Sequence, residues 1–204
     1  MVVADTLPYS RQSTQNRCRI RTAQPPEGGH AWLTVPLVAG APGTSLRDVV
    51  IAPEPRWRQV HRKTLLHHYG SAPFWPHFER ELIELIDLPV NRLADLTTAT
   101  VRWTARSLGA PAGLLRASEL VGAPDTVPAI LAAAGASVLL TLAESAERDA
   151  RLAAEAGIAS RVLRYTERPR RQNFPGFVPG CGSLDLLLNY GAEAPQALTA
   201  GLEP

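Results

Sequence analysis

Of the five histidines in the chain, His61 is the best placed to move a proton. Trp57, His61, Leu65 and His68 fall at i, i+4, i+8 and i+11, so they share one face of a helix. An imidazole among apolar neighbours can take a proton from an amine or hydroxyl near neutral pH. The same placement also suits a hydrogen-bonded core histidine. His67, His68 and His77 read as surface or packing residues. His61 and His68 are seven apart, not the i, i+4 spacing of a helical metal pair, so no metal is expected. Lys63 is the only lysine. A Schiff-base lysine needs burial or a nearby cation to become nucleophilic, and an exposed helix position is the simpler reading.

A second kind of chemistry lies near the N-terminus. Asn16 and Arg17, with Arg11 and Arg19 nearby, can hold an anion, because the guanidinium fork fits carboxylate, sulfate or phosphate. Arg17 and Arg19 alternate with Cys18 and Ile20, so an extended backbone turns both arginines to one side. A solvated edge strand is the alternative. At the other end, Ser183 and Asp185 open the last predicted helix. Ser183 suits a cap and Asp185 the positive end of the helix dipole. Gly180-Cys-Gly182 allows close approach to a bound anion, and Asp185 can instead hold a substrate ammonium. Arg168, Arg170 and Arg171 read as a solvated basic loop.

Those residues need positioning, and 204 residues with 45% hydrophobic and 20% charged composition suffice for one domain with a sizeable core. The expected fold is α/β, a mixed or parallel sheet with flanking helices and a helical middle section. The predicted helices are Pro55–Tyr69, Ala72–Ile86 and Asn91–Leu108, then Val127–Ala134, Glu144–Ala156 and Ser183–Tyr190. Strands are expected near Val3, at Ala31–Val38, Leu46–Ala52, Gly113–Ala117, Ser137–Leu142 and Ile158–Tyr165. Their alternation with helices in the last third implies βαβ units. Residues 24–30 read as a turn.

Several classes are disfavoured. A net charge of +2 is too balanced to suggest nucleic-acid or membrane binding. No apolar run approaches the length of a membrane span. The first residues lack a basic-then-apolar leader pattern, which predicts a cytoplasmic protein. Cys18 and Cys181 are far apart and form no metal motif, so each reads as a small buried hydrophobe. No phosphate-binding loop, dinucleotide fingerprint or nucleophile elbow is present, and no cofactor is expected. Twenty arginines against one lysine is the bias of GC-rich coding DNA.

Four ordered segments resemble the WbqC-like family of bacterial proteins. They are Tyr9…Gln15-Asn16-Arg17…Arg19-Ile20 with Trp32-Leu33-Thr34-Val35-Pro36; Trp57…His61-Arg62-Lys63-Thr64-Leu65…Tyr69…Ala72-Pro73-Phe74; Arg116-Ala117-Ser118-Glu119-Leu120; and Phe177-Val178-Pro179…Ser183-Leu184-Asp185…Asn189-Tyr190-Gly191. The resemblance spans nearly the whole chain. It implies a single domain over 1–204 that lacks the family's usual first strand and helix. Pro8 stands where the family tends to carry glutamine, and Thr141-Leu142 replaces its Ser-Gly pair.

The resemblance implies a biosynthetic role, since members occur in surface-polysaccharide and natural-product gene clusters. The specific expectation is an enzyme, or a subunit of one, acting on an amine-bearing anionic amino-acid intermediate, free or bound to a carrier protein. The GC-rich bias and the short N-terminus add a narrower expectation that no residue match carries: a subunit of an azinomycin-type aziridine-forming enzyme, with sulfate elimination and ring closure in antibiotic biosynthesis. Amino-acyl (glycyl) transfer is the second expectation, and a non-catalytic subunit completing a partner's site is the third. The residues expected at the site are His61 as catalyst, with Tyr9, Asn16, Arg17, Arg19, Tyr69, Ser118, Gln172, Ser183 and Asp185 binding substrate. The expected partners are a second protein subunit and the small-molecule or carrier-bound substrate.

Overall fold

A computed structural model describes residues 1–23, 29–40, 43–110 and 113–203. The turn expected at 24–30 falls mostly outside the described residues. The fold is mixed α/β, as predicted.

β1 (Val2–Val3) runs parallel to β4 (Leu115–Arg116). β2 (Arg17–Arg21) and β3 (His30–Thr34) form an antiparallel pair. β5 (Val138–Leu142) and β6 (Ala159–Leu163) form a parallel one. The strands therefore make three separate two-stranded sheets among the described residues rather than one. The strand expected at Leu46–Ala52 is instead a short 3₁₀ turn at Leu46–Asp48, followed by isolated bridges from Val50 to Arg92 and Ile51 to Leu37. Alternating apolar residues there fill a small core around Trp57 and Leu93 instead of pairing in a ladder.

The middle is helical: α1 (Arg56–Tyr69), α2 (Trp75–Ile86) and α3 (Leu93–Ser107). In α1 the buried stripe is Trp57, His61, Leu65 and Tyr69. The i+12 position is thus Tyr69, and His68 is displaced from the face to which its spacing assigned it. Pro55 immediately precedes the helix, where a missing N–H costs nothing. Trp75, Phe78 and Leu82 of α2 pack with Trp103 of α3. Glu81 fastens the two helices by accepting from the Trp103 indole at 2.6 Å and from Arg106 at 2.9 Å.

The last third follows the predicted alternation, with α4 (Val127–Ala133), α5 (Ala146–Glu155) and α6 (Ser183–Tyr190). A further short helix, α7 (Ala194–Thr199), was not expected. Leu186, Leu187 and Leu188 of α6 sit in the main core. The β5–β6 pair is covered on one face by α5, where the Thr141 hydroxyl donates to Asp149. Its other face leaves Val138, Leu140 and Leu142 exposed, Leu140 by 65%.

The N-terminus is held by a buried ion pair. Asp5, fully enclosed, accepts from Arg116 Nε at 2.8 Å and from the Ser118 amide and hydroxyl at 2.9 and 2.6 Å. Arg116 also reaches Asp95 of α3 at 2.6 Å. β1 is therefore paired with β4 on one edge and clasped at its end.

Candidate functional site

Residues 17–21 form a strand because the apolar members of Arg17-Cys18-Arg19-Ile20-Arg21 alternate with the arginines. Ile20 is fully buried in the main core and Cys18 packs against it. Arg17, Arg19 and Arg21 consequently line the opposite face. Arg17 lies over the Trp32 ring at 4.8 Å and donates to the Gln12 carbonyl at 3.4 Å. Arg19 meets the His30 Nδ1 at 3.0 Å. Arg21 donates to the carbonyls of Thr22, Gly29 and Pro175 at 2.7–2.9 Å. The Nε of each of the three is buried without a partner among the described residues. A buried guanidinium N–H left unpaired is unfavourable, and among the described residues none of the three arginines meets a carboxylate.

Two cavities meet at this strand. One, of about 610 Å³, lies between the β2–β3 hairpin, the three central helices and the start of α6. The other, of about 870 Å³, is lined by Tyr9, Arg11 and the chain around Val35 to Val38. Asn16, Arg17 and Val35 line both. The Asn16 amide donates to the Val35 carbonyl at 3.0 Å, which fixes that shared wall.

His61 lines the smaller cavity. Its Nε2 lies 3.1 Å from the Thr34 carbonyl. A carbonyl can only accept, so Nε2 carries the proton, and in the neutral ring Nδ1 holds a lone pair. Nδ1 has no hydrogen-bond partner among the described residues. Burial lowers the His61 pKa, the Thr34 bond opposes that, and the Arg58 charge adds to the lowering. The imidazole is thus held neutral, the form a base requires. Trp57 packs edge-on at 5.0 Å. Thr34 pairs with Arg17 in the hairpin register, so the residue that sets the histidine's tautomer is cross-strand from the arginine.

Tyr69, Gln172 and Asp185 are brought together elsewhere, and none of them lines either cavity. The Asp185 carboxylate accepts from the Tyr69 hydroxyl at 3.1 Å, from Gln172 Nε2 at 2.9 Å and from Arg170 at 3.4 Å. Burial raises its pKa, and the donors oppose the rise. Arg170 also pairs with Glu167 at 2.8 Å, and Glu167 accepts from the Gly180 amide at 2.6 Å. Of the basic run predicted to be solvated, Arg168 and Arg171 are exposed as expected, while Arg170 is half-buried because two carboxylates draw it inward. Ser183 lines the smaller cavity but caps nothing. Gly182 precedes α6, and no side chain closes its first turn. Ser118 spends its hydroxyl on Asp5.

The predicted residues thus divide. His61, Asn16, Arg17 and Ser183 share one cavity, and Tyr9 joins Asn16 and Arg17 in the other. Arg19 stands apart with His30. Tyr69, Gln172 and Asp185 form one buried cluster, and Ser118 belongs to the Asp5 clasp. Arg21 was missed although it continues the Arg17, Arg19 alternation. Thr34 acts through its backbone, and nothing in the sequence singles out a carbonyl. Cys18 and Cys181 are free thiols with pKa values pushed up to about 11 by burial and the nearby Asp185 charge, so neither is an activated nucleophile. Among the described residues, no three of His, Cys, Asp and Glu gather as a metal-ligand set.

The sequence profile of the WbqC-like protein family matches residues 1–197. The chain belongs to the WbqC-like protein family. The family is linked to biosynthesis in general. The chain is also similar to the uncharacterized protein Rv1507c of Mycobacterium tuberculosis (strain ATCC 25618 / H37Rv), with 28% identity covering 97% of this chain and 86% of the relative. No solved structure matches. The expectation of an azinomycin-type subunit gains no support from either match. Among the described residues, no helix is long and apolar enough to cross a membrane.

Proposed function

We propose that this WbqC-like chain is a biosynthetic enzyme, or the substrate-binding subunit of one, that acts on a small amine-bearing anion. Arg17 holds the anionic group and His61 Nδ1 takes the amine proton. The observation that carries this reading is the placement of both groups on the wall of one cavity, with His61 Nε2 spent on the Thr34 carbonyl and Nδ1 left over. The base and the cation then act on different parts of one substrate, so catalysis rests on positioning and charge.

Ring closure with loss of sulfate is the specific reaction that suits this pair. The amine nitrogen forms a bond to the neighbouring carbon as that carbon's bond to the sulfate oxygen breaks. Sulfate departs with the bonding electron pair toward Arg17, and the amine proton passes to His61. Sulfate is a weak base, so no acid is needed to expel it. Amino-acyl transfer is a second reading, favoured by the larger cavity that meets the first at Asn16 and Arg17. That arrangement gives a donor and an acceptor separate places.

A second protein subunit belongs to the same proposal. Parallel strands are ordinarily covered on both faces, and the β5–β6 pair has one apolar face open.

The deciding experiment offers the chain, alone and with the product of a neighbouring gene, a 2-aminoalkyl sulfate or an aminoacyl donor, and follows products by mass spectrometry. Free sulfate with a cyclised amine supports ring closure, and a mass gain on an acceptor supports transfer. Arg17→Lys keeps the charge but loses the fork, and most of the activity should go with it. Wild-type turnover by Arg17→Lys removes the anion clamp.

A further inference from the structure

The smaller cavity is far more apolar than an anion and an amine require. Its wall includes Leu33, Leu65, Leu82, Leu96, Trp57 and Trp103. Two polar residues that also line it contribute little polarity. Thr97 turns its hydroxyl back to the Leu93 and Ala94 carbonyls, and Thr100 turns its own to the Leu96 carbonyl. Both therefore present methyl groups. The cation and the base on its wall are Arg17 and His61, the latter with Nδ1 unspent. A volume of about 610 Å³ falls in the range that holds a drug-sized ligand, and such sites bind by apolar burial with a few polar groups fixing orientation.

The geometry points to an amphiphilic substrate, in which an apolar arm, an acyl chain or aryl group, fills this cavity and an anionic head lies at Arg17. This rests on the function proposed above and adds the class of substrate. A purely polar metabolite would leave the leucines and tryptophans wetted, whereas an apolar arm gains burial along its length. The reacting amine then lies between head and arm, near His61.

The test uses the intact chain and the linear carboxylates acetate, butanoate and decanoate as probes, with binding measured by calorimetry and by the fluorescence of Trp57 and Trp103. Each buried methylene contributes roughly fourfold in affinity. Even with partial burial, decanoate should bind about 100-fold or more tighter than butanoate, with one saturable site and a tryptophan signal. Thr97→Phe, at a half-buried position on the cavity wall, should fill the cavity and abolish decanoate binding. Equal affinity for butanoate and decanoate overturns the inference, and so does unchanged decanoate binding by folded Thr97→Phe. If Thr97→Phe does not fold, the chain-length series in the wild-type protein decides alone. A different failure marks the underlying reading. If decanoate retains its length preference but binds Arg17→Gln as well as wild type, the apolar arm stands and the anchoring role of Arg17 falls.

Discussion

The hydroxyl of Tyr69 in α1 stands 3.1 Å from Oδ1 of Asp185 in α6, and both residues are closed off from solvent. The same hydroxyl accepts the Arg21 backbone amide at 2.9 Å. One tyrosine thus joins the arginine strand, the central helix and the closing helix. Because the hydroxyl accepts from Arg21, its single proton is free to go to Asp185. Gln172 and Arg170 supply donors to the other carboxylate oxygen. The cluster locks the loop before α6 onto the core, and so fixes the end of α6 that borders the cavity.

Asp185→Asn tests that lock. All the groups around the carboxylate donate, so the new amide must set a donor against a donor. The variant should lose about 3 kcal/mol of stability, read as a lowered denaturant midpoint. An unchanged midpoint would show that the cluster is not needed to hold α6.

The Asp5 clasp predicts a pH dependence. Burial pushes the Asp5 carboxyl up, but the bonds from Ser118 and Arg116 outweigh it and leave the pKa below its ordinary value. The folded state therefore keeps Asp5 ionised at a pH where the unfolded chain takes up a proton. Its stabilisation is complete above about pH 4, the ordinary carboxylate range, and is lost as pH falls through the lower folded value. Asp5→Asn should cost about 3 kcal/mol at pH 7, and the gap from wild type should shrink below about pH 4. A gap that is constant with pH sinks this account.

Gly182 and Cys18 should show coupling. A side chain at Gly182 would place its Cβ 2.7 Å from the Cys18 Sγ, inside any real contact. Gly182→Ala is expected to destabilise by about 1–3 kcal/mol, and adding Cys18→Ala should recover most of that loss. A double-mutant cycle with no interaction energy contradicts the contact.

His61 should set the acid limb of activity. Burial lowers its pKa, so the rate should persist below the ordinary imidazole value of about 6.5 before falling as Nδ1 is protonated. His61→Asn should lose about 10²–10⁴-fold in rate and lose the acid limb with it. A folded His61→Asn chain that keeps both rate and limb excludes His61 from the chemistry.

The helices were legible where a buried stripe repeats at helical spacing, as at Trp57, His61 and Leu65, and where Gly135 or Gly157 closes a helix with a positive φ. The arginine face of β2 was legible from alternation alone. What stayed hidden depends on residues distant in sequence. Leu46 to Ala52 has a strand's composition but no partner ladder, and Arg170 follows a basic pattern yet is drawn inward by Glu167 and Asp185. The tautomer of His61 depends on a carbonyl 27 positions away, which no local pattern reports.

The Asp5–Arg116 pair spans 111 positions, and this has a consequence for the order of assembly during synthesis. At about 5–20 residues per second, β1 emerges from the ribosome roughly 5–20 s before its partner strand exists. The hairpin of β2 and β3 and the helices α1 to α3 have local partners and can form in that interval, while the first five residues wait. Closure of the N-terminus is thus a late, long-range step of the kind that slows folding. Until it occurs, the nascent chain carries Asp5 without the arginine that will neutralise it.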